Sequence, residues 1–353
     1  MLSELTASSR RLALVGLAKN TGKTQTLTVL LRELEASGTC VGVTSVGRDG
    51  EEHDVIDARI SKPRVHLAAG SLVATTDGLL RASAIEHELL EQTSVRTPLG
   101  RVIVARLRQP GAIEVAGPSA AADVRAVSDA MLAHGAHQVL IDGAVDRRAA
   151  SSPAVSDGLV MATGAVLADA IEDVVAQTRD AVELARLPLL EDASAAGARL
   201  RALAGDGHSL LLDEQGDPLS LPPRFLLTAD AAQIAALLDE RPGARWLLAA
   251  GAVPEGFLLG LAHALQRRQR ELVLVAADPT RVFLWKRGPE WFRRRGLHLQ
   301  ALERIELEAL TVNPVAPQSH RFDSRELRSL LGDVISGVPI LDVLDLDYTA
   351  MPA

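Results

Sequence analysis

The residues best suited to chemistry lie near the amino end, in the run Gly16-Leu-Ala-Lys-Asn-Thr-Gly-Lys-Thr24. An apolar strand-like run, 11–15, precedes it, and a pattern with leucines at helical spacing, 24–37, follows it. Such a strand–loop–helix offers an anion both backbone N–H groups and the positive end of a helix dipole. Lys23 would reach the β- and γ-phosphates of a nucleotide, and the Thr24 hydroxyl would bind Mg²⁺. The run therefore predicts a phosphate-binding loop for ATP or GTP.

The glycine register of this loop departs from the common pattern. That pattern places its first glycine five residues before Gly22, where this chain has Leu17, and the glycine stands one residue earlier at Gly16. The signature lysine of dimeric P-loop ATPases would fall at Ala18, whereas this chain has Lys19, so no lysine is expected to act across subunits. The predicted nucleotide contacts are Gly16, Lys19, Asn20, Thr21, Gly22, Lys23, Thr24 and Gln25.

Acidic residues that follow two further apolar runs are candidate partners of the loop. Val139-Leu-Ile-Asp142 is an apolar strand that ends in an acid, which is the form of a Mg²⁺-side carboxylate, although it is also a common turn start. The loop resembles that of the dethiobiotin synthetase and cobyrinate amidase branch of P-loop proteins, in which an acid after the second strand assists Mg²⁺ or activates the attacking group. By that resemblance Asp49, after the run 41–45, is the predicted second acid, with Glu51 and Asp54 as alternatives, against a plain exposed loop. Lys23, Asp49 and Asp142 are the predicted catalytic group; Thr24, Asp49 and Asp142 are the predicted Mg²⁺ ligands.

The elements that must position these residues alternate between short apolar strands and longer helical patterns. This alternation predicts an α/β fold with a mainly parallel sheet, as in P-loop NTPases. The strand and helix pattern of the sequence is weakest over 191–216, and we place a domain boundary there. We therefore predict a nucleotide-binding domain at 1–205 and a second α/β domain of unknown role at 220–353. The predicted strands are 11–15, 41–45, 101–105, 138–142, 158–162, 246–249, 271–276 and 307–312.

Composition excludes several classes of function. A net charge of −8 with only 3% aromatic residues gives no footprint for nucleic acid. Cys40 is the only cysteine, which rules out a disulfide within the chain and argues against a cysteine metal site. No apolar run reaches the ~18 residues of a membrane span, and the amino end lacks the layout of a signal peptide. We therefore expect a cytoplasmic protein.

Three other patterns have plainer interpretations. His87-Glu88-Leu-Leu-Glu91 begins like a zinc motif but lacks the second histidine, so it is predicted to be the exposed face of a helix. The basic runs 266–270 and 293–295 are predicted to be solvated. The aromatic residues within 283–292 are predicted to pack in the core, with a partner-binding patch as the alternative.

The phosphate loop resembles that of the dethiobiotin synthetase and cobyrinate amidase branch of P-loop proteins. Across most of the chain, a series of segments resembles, in order, the P-loop protein encoded with lysine 5,6-aminomutase and ornithine aminomutase, a reactivase subunit. The segments are 16–24, 44–51, 115–118, 141–147, 162–165, 312–317 and 338–343.

This resemblance implies an ATPase that opens an adenosylcobalamin-dependent aminomutase so that damaged cobalamin can leave. It implies phosphate and Mg²⁺ roles for Lys23 and Thr24, and Asp142 as the Mg²⁺-side acid. The aminomutase is the implied partner, and a second reactivase subunit and self-association stay open. None of the nine histidines lies in an Asp-x-His-x-x-Gly cobalamin motif. The alternatives are a dethiobiotin synthetase-like enzyme that uses ATP on a small carboxylate, and a nucleotide-gated binding module.

Overall fold

A computed structural model describes residues 1–47, 64–143, 148–190, 208–317, 320–342 and 344. The chain forms two compact units, one of Met1–Val175 with Glu306–Ala353 and the other of Ala176–Ile305. This division differs from the predicted 1–205 and 220–353. The chain returns to the first unit after residue 305 because the strand at Leu307–Asn313 pairs with that unit's sheet.

The first unit is built on a nine-stranded sheet. Its strands are β1 (Arg11–Gly16), β2 (Val41–Ser45), β4 (Leu72–Thr76), β5 (His87–Thr97), β6 (Gly100–Leu107), β8 (Gln138–Asp142), β9 (Gly158–Gly164), β17 (Leu307–Asn313) and β18 (Ile340–Asp342); β3 (Val65–Leu67) and β7 (Gly111–Ile113) form a separate antiparallel pair. The order across the sheet is β18-β17-β9-β1-β8-β2-β4-β6-β5. Neighbours from β18 to β4 are parallel, and β6 is antiparallel to β4 and β5. The prediction of an α/β fold with a mainly parallel sheet is confirmed.

Helices bury both faces of this sheet. Val41 and Val43 of β2 share one apolar cluster with Leu30, which lies on the helix after β1. Gly42, between them, faces the other side, where a Cβ would lie 3.0 Å from the sulfur of Met131. Burial on both faces explains why the parallel strands are continuous apolar runs in the sequence. The helices outside the second unit's range are α1 (Leu2–Leu5), α2 (Lys23–Ala36), α3 (Asp77–Ala82) and α4 (Ala121–Ala133), with α10 (Ser324–Val334) late in the chain; α5 (Ile171–Ala185) spans residues of both units.

The strand order reverses at β1. After β1 the chain moves to β2 on one side, and after β8 it crosses β1 to reach β9 on the other. In open parallel sheets, ligands bind outside the carboxyl ends of the strands at such a reversal. The loop between β1 and α2 lies at this position.

The segment His87-Glu88-Leu-Leu-Glu91 is not helical, which corrects the prediction from its spacing. It begins β5, which pairs antiparallel with β6. The pairing shifts register between Leu89 and Glu91 and again between Gln92 and Arg96. Such irregularities interrupt the alternation of inward and outward side chains, so the sequence of this strand loses its period of two.

The second unit has its own five-stranded sheet, in the order β11-β10-β12-β14-β16. The strands are β10 (Leu210–Asp213), β11 (Pro218–Ser220), β12 (Ala244–Ala249), β14 (Leu272–Ala276) and β16 (Leu297–Ala301), with a parallel pair β13 (Val253–Pro254) and β15 (Val282–Phe283). The helices are α6 (Phe225–Thr228), α7 (Ala231–Glu240), α8 (Glu255–Arg268) and α9 (Pro289–Arg293). Strands β12, β14 and β16 are parallel, and β10 is antiparallel to β11 and β12. In the described parts of the chain, no helix has both the length and the apolar character needed to cross a membrane.

The aromatic residues within 283–292 do not share one environment, although the sequence predicts core packing for them. Phe292 is fully buried in the second unit's core. Trp285 is 76% exposed. The difference arises because a buried carboxylate, Glu255, binds the backbone of residues 285–287 and fixes that turn at the surface.

Candidate phosphate-binding site

The neighbouring strands β9 and β1 both end in glycine at the edge where the strand order reverses. A Cβ at Gly16, the end of β1, would lie 2.6 Å from the Thr21 hydroxyl oxygen. A Cβ at Gly164, the end of β9, would lie 2.2 Å from the Asn313 carbonyl oxygen. Neither position has room for a side chain, because the Thr21 side chain lies against Gly16 and the backbone of Asn313 lies against Gly164.

The loop after β1 folds back over Gly16. The Leu17 N–H donates to the Ala162 carbonyl at 2.9 Å, which ties the loop to β9. The Thr21 hydroxyl, fully buried, donates to the Ala18 carbonyl at 3.0 Å. Glycine is required at position 16 because Thr21 occupies the space that a side chain would fill, which gives a physical reason for the unusual register of the motif.

Two residues of the loop have left-handed backbone, Asn20 with φ +65° and Gly22 with φ +91°. The Asn313 side-chain amide donates to the Asn20 carbonyl at 3.1 Å, and its oxygen accepts the Val315 N–H at 3.1 Å. Asn313 is buried and ends β17, so the late part of the chain fixes the loop. Asn313 was not among the predicted site residues. The sequence feature that could have identified it is an asparagine that ends a strand and precedes a proline.

Helix α2 begins at Lys23 in an unusual way. Its N-cap is Gly22, with no side-chain cap, and its first turn has no acidic residue. The other described helices of ten or more residues have an Asp cap, an acid in the first turn or both. The first N–H groups of a helix have no partner within the helix, and its dipole favours an anion there. Thr24 and Gln25 are exposed at this end.

Lys23 forms an ion pair with Asp142, between Nζ and Oδ1. The two side chains are 21% and 33% exposed. A cation at the amino end of a helix opposes the dipole, so the lysine does not serve the stability of α2 and the carboxylate offsets its charge. Asp142 reaches this position because it ends β8, which is hydrogen-bonded beside β1. The fold thus brings two of the three predicted catalytic residues together.

The third predicted residue, Asp49, and its alternatives, Glu51 and Asp54, lie outside the described residues. The described chain before them ends at Gly47, whose N–H donates to the Pro118 carbonyl at 2.8 Å. Ser45 accepts the Gly117 N–H at 3.0 Å. A Cβ at Gly117 would lie 1.8 Å from the Ser45 carbonyl oxygen, so only glycine lets this segment lie against the end of β2.

A cleft of about 470 Å³ lies beside the loop and is lined by residues that follow β9 and β17. Its lining residues are Asn20, Val166, Leu167, Ala168, Asp169, Ala316, Pro317 and His320. The His320 ring nitrogen Nδ1 is 3.7 Å from the Asp169 carboxylate. The cleft has the size of a small-molecule site and shares Asn20 with the phosphate loop.

A second cavity, of about 300 Å³, lies away from this edge, at the carboxyl end of α2 and the start of β2. Cys40 and His66 line it. Burial raises the pKa of the Cys40 thiol above its ordinary value, so the thiol is neutral near pH 7. None of the predicted site residues lies here.

No cluster of three or more His, Cys, Asp or Glu side chains with metal-binding geometry occurs among the residues described. Comparison with protein-family models, with curated proteins and with solved structures finds no match to this chain. The case for function therefore rests on the residues and their arrangement.

Proposed function

We propose that this chain binds Mg²⁺–ATP at the loop 16–25 and hydrolyses it to release damaged cobalamin from an adenosylcobalamin-dependent aminomutase. One observation carries the nucleotide part of the proposal. Lys23 is the first residue of α2, a helix that has no side-chain cap and no acid in its first turn. Its ammonium group pairs with the carboxylate of Asp142 at the end of β8. This arrangement leaves the amides at the start of α2 without an acid in their own helix turn, beside a lysine whose charge Asp142 offsets, and such a helix end favours a bound anion.

In the proposed complex, Lys23 exchanges the Asp142 carboxylate for the β- and γ-phosphates. The N–H groups of the first turn of α2 bind the phosphate oxygens. The Thr24 hydroxyl and the Asp142 carboxylate are oxygen donors of the kind that Mg²⁺ uses, and both side chains have access to solvent. When bound, Mg²⁺ supplies charge neutralisation of the phosphates. Asp49 is proposed as the further acid at this site.

The cleft beside Asn20 is the proposed location of the nucleoside. It borders the phosphate loop directly and is lined partly by apolar side chains, which suit a base. The fold proposed for the first unit is that of the dethiobiotin synthetase-like branch of P-loop NTPases. The reversal of strand order at β1 and the glycine at the end of that strand support this proposal.

The aminomutase target rests on the resemblance of the chain's segments to the reactivase subunit. Hydrolysis in the first unit would be coupled to the aminomutase through surfaces outside the nucleotide site. A second reactivase subunit is proposed as a further partner, and the cytoplasm as the compartment.

Calorimetric titration tests the nucleotide site. Wild-type protein should bind Mg²⁺–ATP, and a parallel titration with Mg²⁺–GTP decides the base. Lys23→Ala should reduce affinity at least about 100-fold, because the loop loses its phosphate charge. Arg267→Ala, at an exposed cation in the second unit, is the matched control and should bind as wild type. Full-strength binding by Lys23→Ala would refute the site.

Phosphate release tests the target. We expect hydrolysis that is stimulated by the purified aminomutase carrying bound cyanocobalamin as an inactive cofactor, with that cyanocobalamin released into solution. Hydrolysis that depends instead on a small carboxylic acid would favour the dethiobiotin synthetase-like enzyme. Tight Mg²⁺–ATP binding without turnover under any of these conditions would favour the nucleotide-gated binding module.

A further inference from the structure

The second unit presents an exposed tryptophan that is followed by two basic residues. Trp285 is 76% exposed, the most exposed large apolar side chain of the described residues. Lys286 and Arg287 follow it and are also exposed. We call residues 285–287 the docking loop. A tryptophan side chain typically buries about 150–250 Å² of surface, and leaving it exposed to water is less favourable in free energy than burying it.

The docking loop is held rigidly by one buried carboxylate. Glu255 is only 7% exposed and accepts the N–H groups of Trp285, Lys286 and Arg287 at 3.3, 3.0 and 3.0 Å. The parallel pairing of Val253–Pro254 with Val282–Phe283 brings Glu255 to the loop. The backbone that carries the indole is therefore fixed before any partner arrives.

The residues after the loop are fixed as well. A Cβ at Gly288 would lie 2.4 Å from Cγ of Asp180, so α5 packs closely on this turn. The Trp291 ring is covered by the Arg295 guanidinium at 3.6 Å, with Arg287 at 5.6 Å. One tryptophan of this segment is thus used within the fold, whereas Trp285 is not.

The surroundings of Trp285 are basic. Residues 281–295 contain six Lys or Arg and one acid, in a chain of net charge −8. The single acid, Glu290, binds Arg293 and Arg294, and these hydrogen bonds lower its pKa to about 2. Asp180 and Glu183 of α5 lie at the border of the segment and form ion pairs with Arg179. The segment retains an excess of positive charge beside the indole.

We propose that the docking loop binds an acidic protein surface that accepts the Trp285 ring into an apolar pocket. Tryptophan and arginine are the residue types that dominate binding energy at protein interfaces. A preorganised backbone reduces the entropy lost on binding, and basic side chains steer an acidic partner. A membrane surface is disfavoured because the loop offers one apolar side chain and no apolar helical face. Nucleic acid is disfavoured by the acidic chain. The inference does not depend on the nucleotide site.

Photo-crosslinking in the native cell identifies the partner. A photoreactive amino acid replaces Trp285, and a matched protein carries it at Leu227, which is 58% exposed in the same unit. We expect a discrete protein product from position 285 that position 227 does not give. Absence of that product, or a product destroyed by nuclease, would overturn the proposal.

The affinity of the purified partner for variants of the docking loop then shows whether the indole and the basic side chains carry the binding. Trp285→Ala and the double change Lys286→Glu with Arg287→Glu should each weaken Kd at least about tenfold. The wild-type Kd should also weaken as salt rises, and Arg267→Glu should stay within about twofold of wild type. Equal affinities across these variants would refute the docking surface, as would binding of the wild type to phosphatidylserine vesicles that Trp285→Ala abolishes.

Two controls keep the outcomes separate. All variants should bind Mg²⁺–ATP as wild type and unfold at wild-type temperature, so that a loss reflects the surface alone. If the crosslinked protein is the aminomutase, the target of the proposed function is supported as well. If it is another protein, the docking surface stands, and the proposed target is decided separately by the phosphate-release assay.

Discussion

The phosphate loop, residues 17–22 before α2, and the docking loop, residues 285–287, are both regions where backbone N–H groups need an acceptor. The two regions differ in whether the chain supplies that acceptor. In the second unit, three backbone amides converge on Glu255, an anion that the chain itself supplies. In the first unit, the start of α2 has no acid in its first turn and no side-chain cap, and the carboxylate of Asp142 pairs with Lys23. Convergent backbone donors attract an anion.

The difference separates a structural use of backbone donors from the ligand-binding use that we propose for the start of α2. In the docking loop, Glu255 binds the backbone N–H groups, and the side chain of Trp285 is the group left exposed to a partner. At the start of α2, no side chain of the helix caps the backbone N–H groups, and these groups themselves are the proposed anion-binding groups. Four changes would break or sharpen this contrast.

Asp142→Asn should have the largest effect. Loss of the carboxylate removes a proposed Mg²⁺ ligand, so ATP hydrolysis should fall about 10²- to 10³-fold, while Mg²⁺–ATP affinity changes only a few-fold. Steady-state phosphate release and calorimetry measure the two quantities. Asp129→Asn, an exposed acid paired with Arg11, is the matched control. An equal loss of binding and hydrolysis would mean that Asp142 is structural.

Gly16→Ala should weaken Mg²⁺–ATP binding about 100-fold. The added methyl group would meet the Thr21 hydroxyl at 2.6 Å, so the loop must shift, and a shift of about 1 Å costs this much at a positioned site. Gly78→Ala, where no atom lies within 4 Å of the added Cβ, should bind as wild type. Unchanged affinity in Gly16→Ala would show that the loop geometry does not position the phosphates.

Glu255→Ala should lower the free energy of unfolding by about 1–3 kcal/mol, because it leaves converging amides without their acceptor. Glu255→Gln, which keeps one acceptor oxygen, should lose less. Urea denaturation gives the free energies, and Mg²⁺–ATP titration should show no change for either variant. A loss of ATP affinity would contradict the assignment of separate roles to the two loops.

The smallest expected effect is at Glu308, a carboxylate whose hydrogen-bond donors are hydroxyls and not, as for Glu255, backbone amides. Its carboxylate binds the hydroxyls of Ser8 and Ser9, yet burial raises the pKa of Glu308 above its ordinary value. The folded state therefore favours the protonated carboxyl, and the unfolding free energy should fall as pH rises from about 4.3 through that raised pKa.

Glu308→Gln should remove this pH dependence. Its stability relative to wild type should increase between pH 4 and pH 7, in urea denaturation at each pH. A difference that stays constant over this range would show that Glu308 has an ordinary pKa in the folded protein.

The sequence predicted the parts of the site that are local in the chain. Strand β1, its loop and α2 are contiguous, and burial on both faces makes residues 139–141 of β8 an apolar run that Asp142 follows directly. The return of β17 was not predictable, because the contact between the Thr26 and Thr311 hydroxyls, at 2.8 Å, joins residues far apart in sequence. The exposure of Trp285 was not predictable either, since it depends on a hydrogen bond to Glu255, which lies 30 residues earlier in the sequence on another element.

The bond from Asn313 to the Asn20 carbonyl also has a consequence for how the protein is made. The phosphate loop leaves the ribosome early, but its support arrives about 290 residues later, after the whole of Ala176–Ile305 has emerged. At ordinary rates of translation this interval is roughly 15 to 60 s. Once β9 has been made, its edge is without β17 until residues 307–313 follow, and until then the nascent chain carries the phosphate loop without the hydrogen bond from Asn313. The final conformation of the loop is therefore reached only after the second unit has been synthesised.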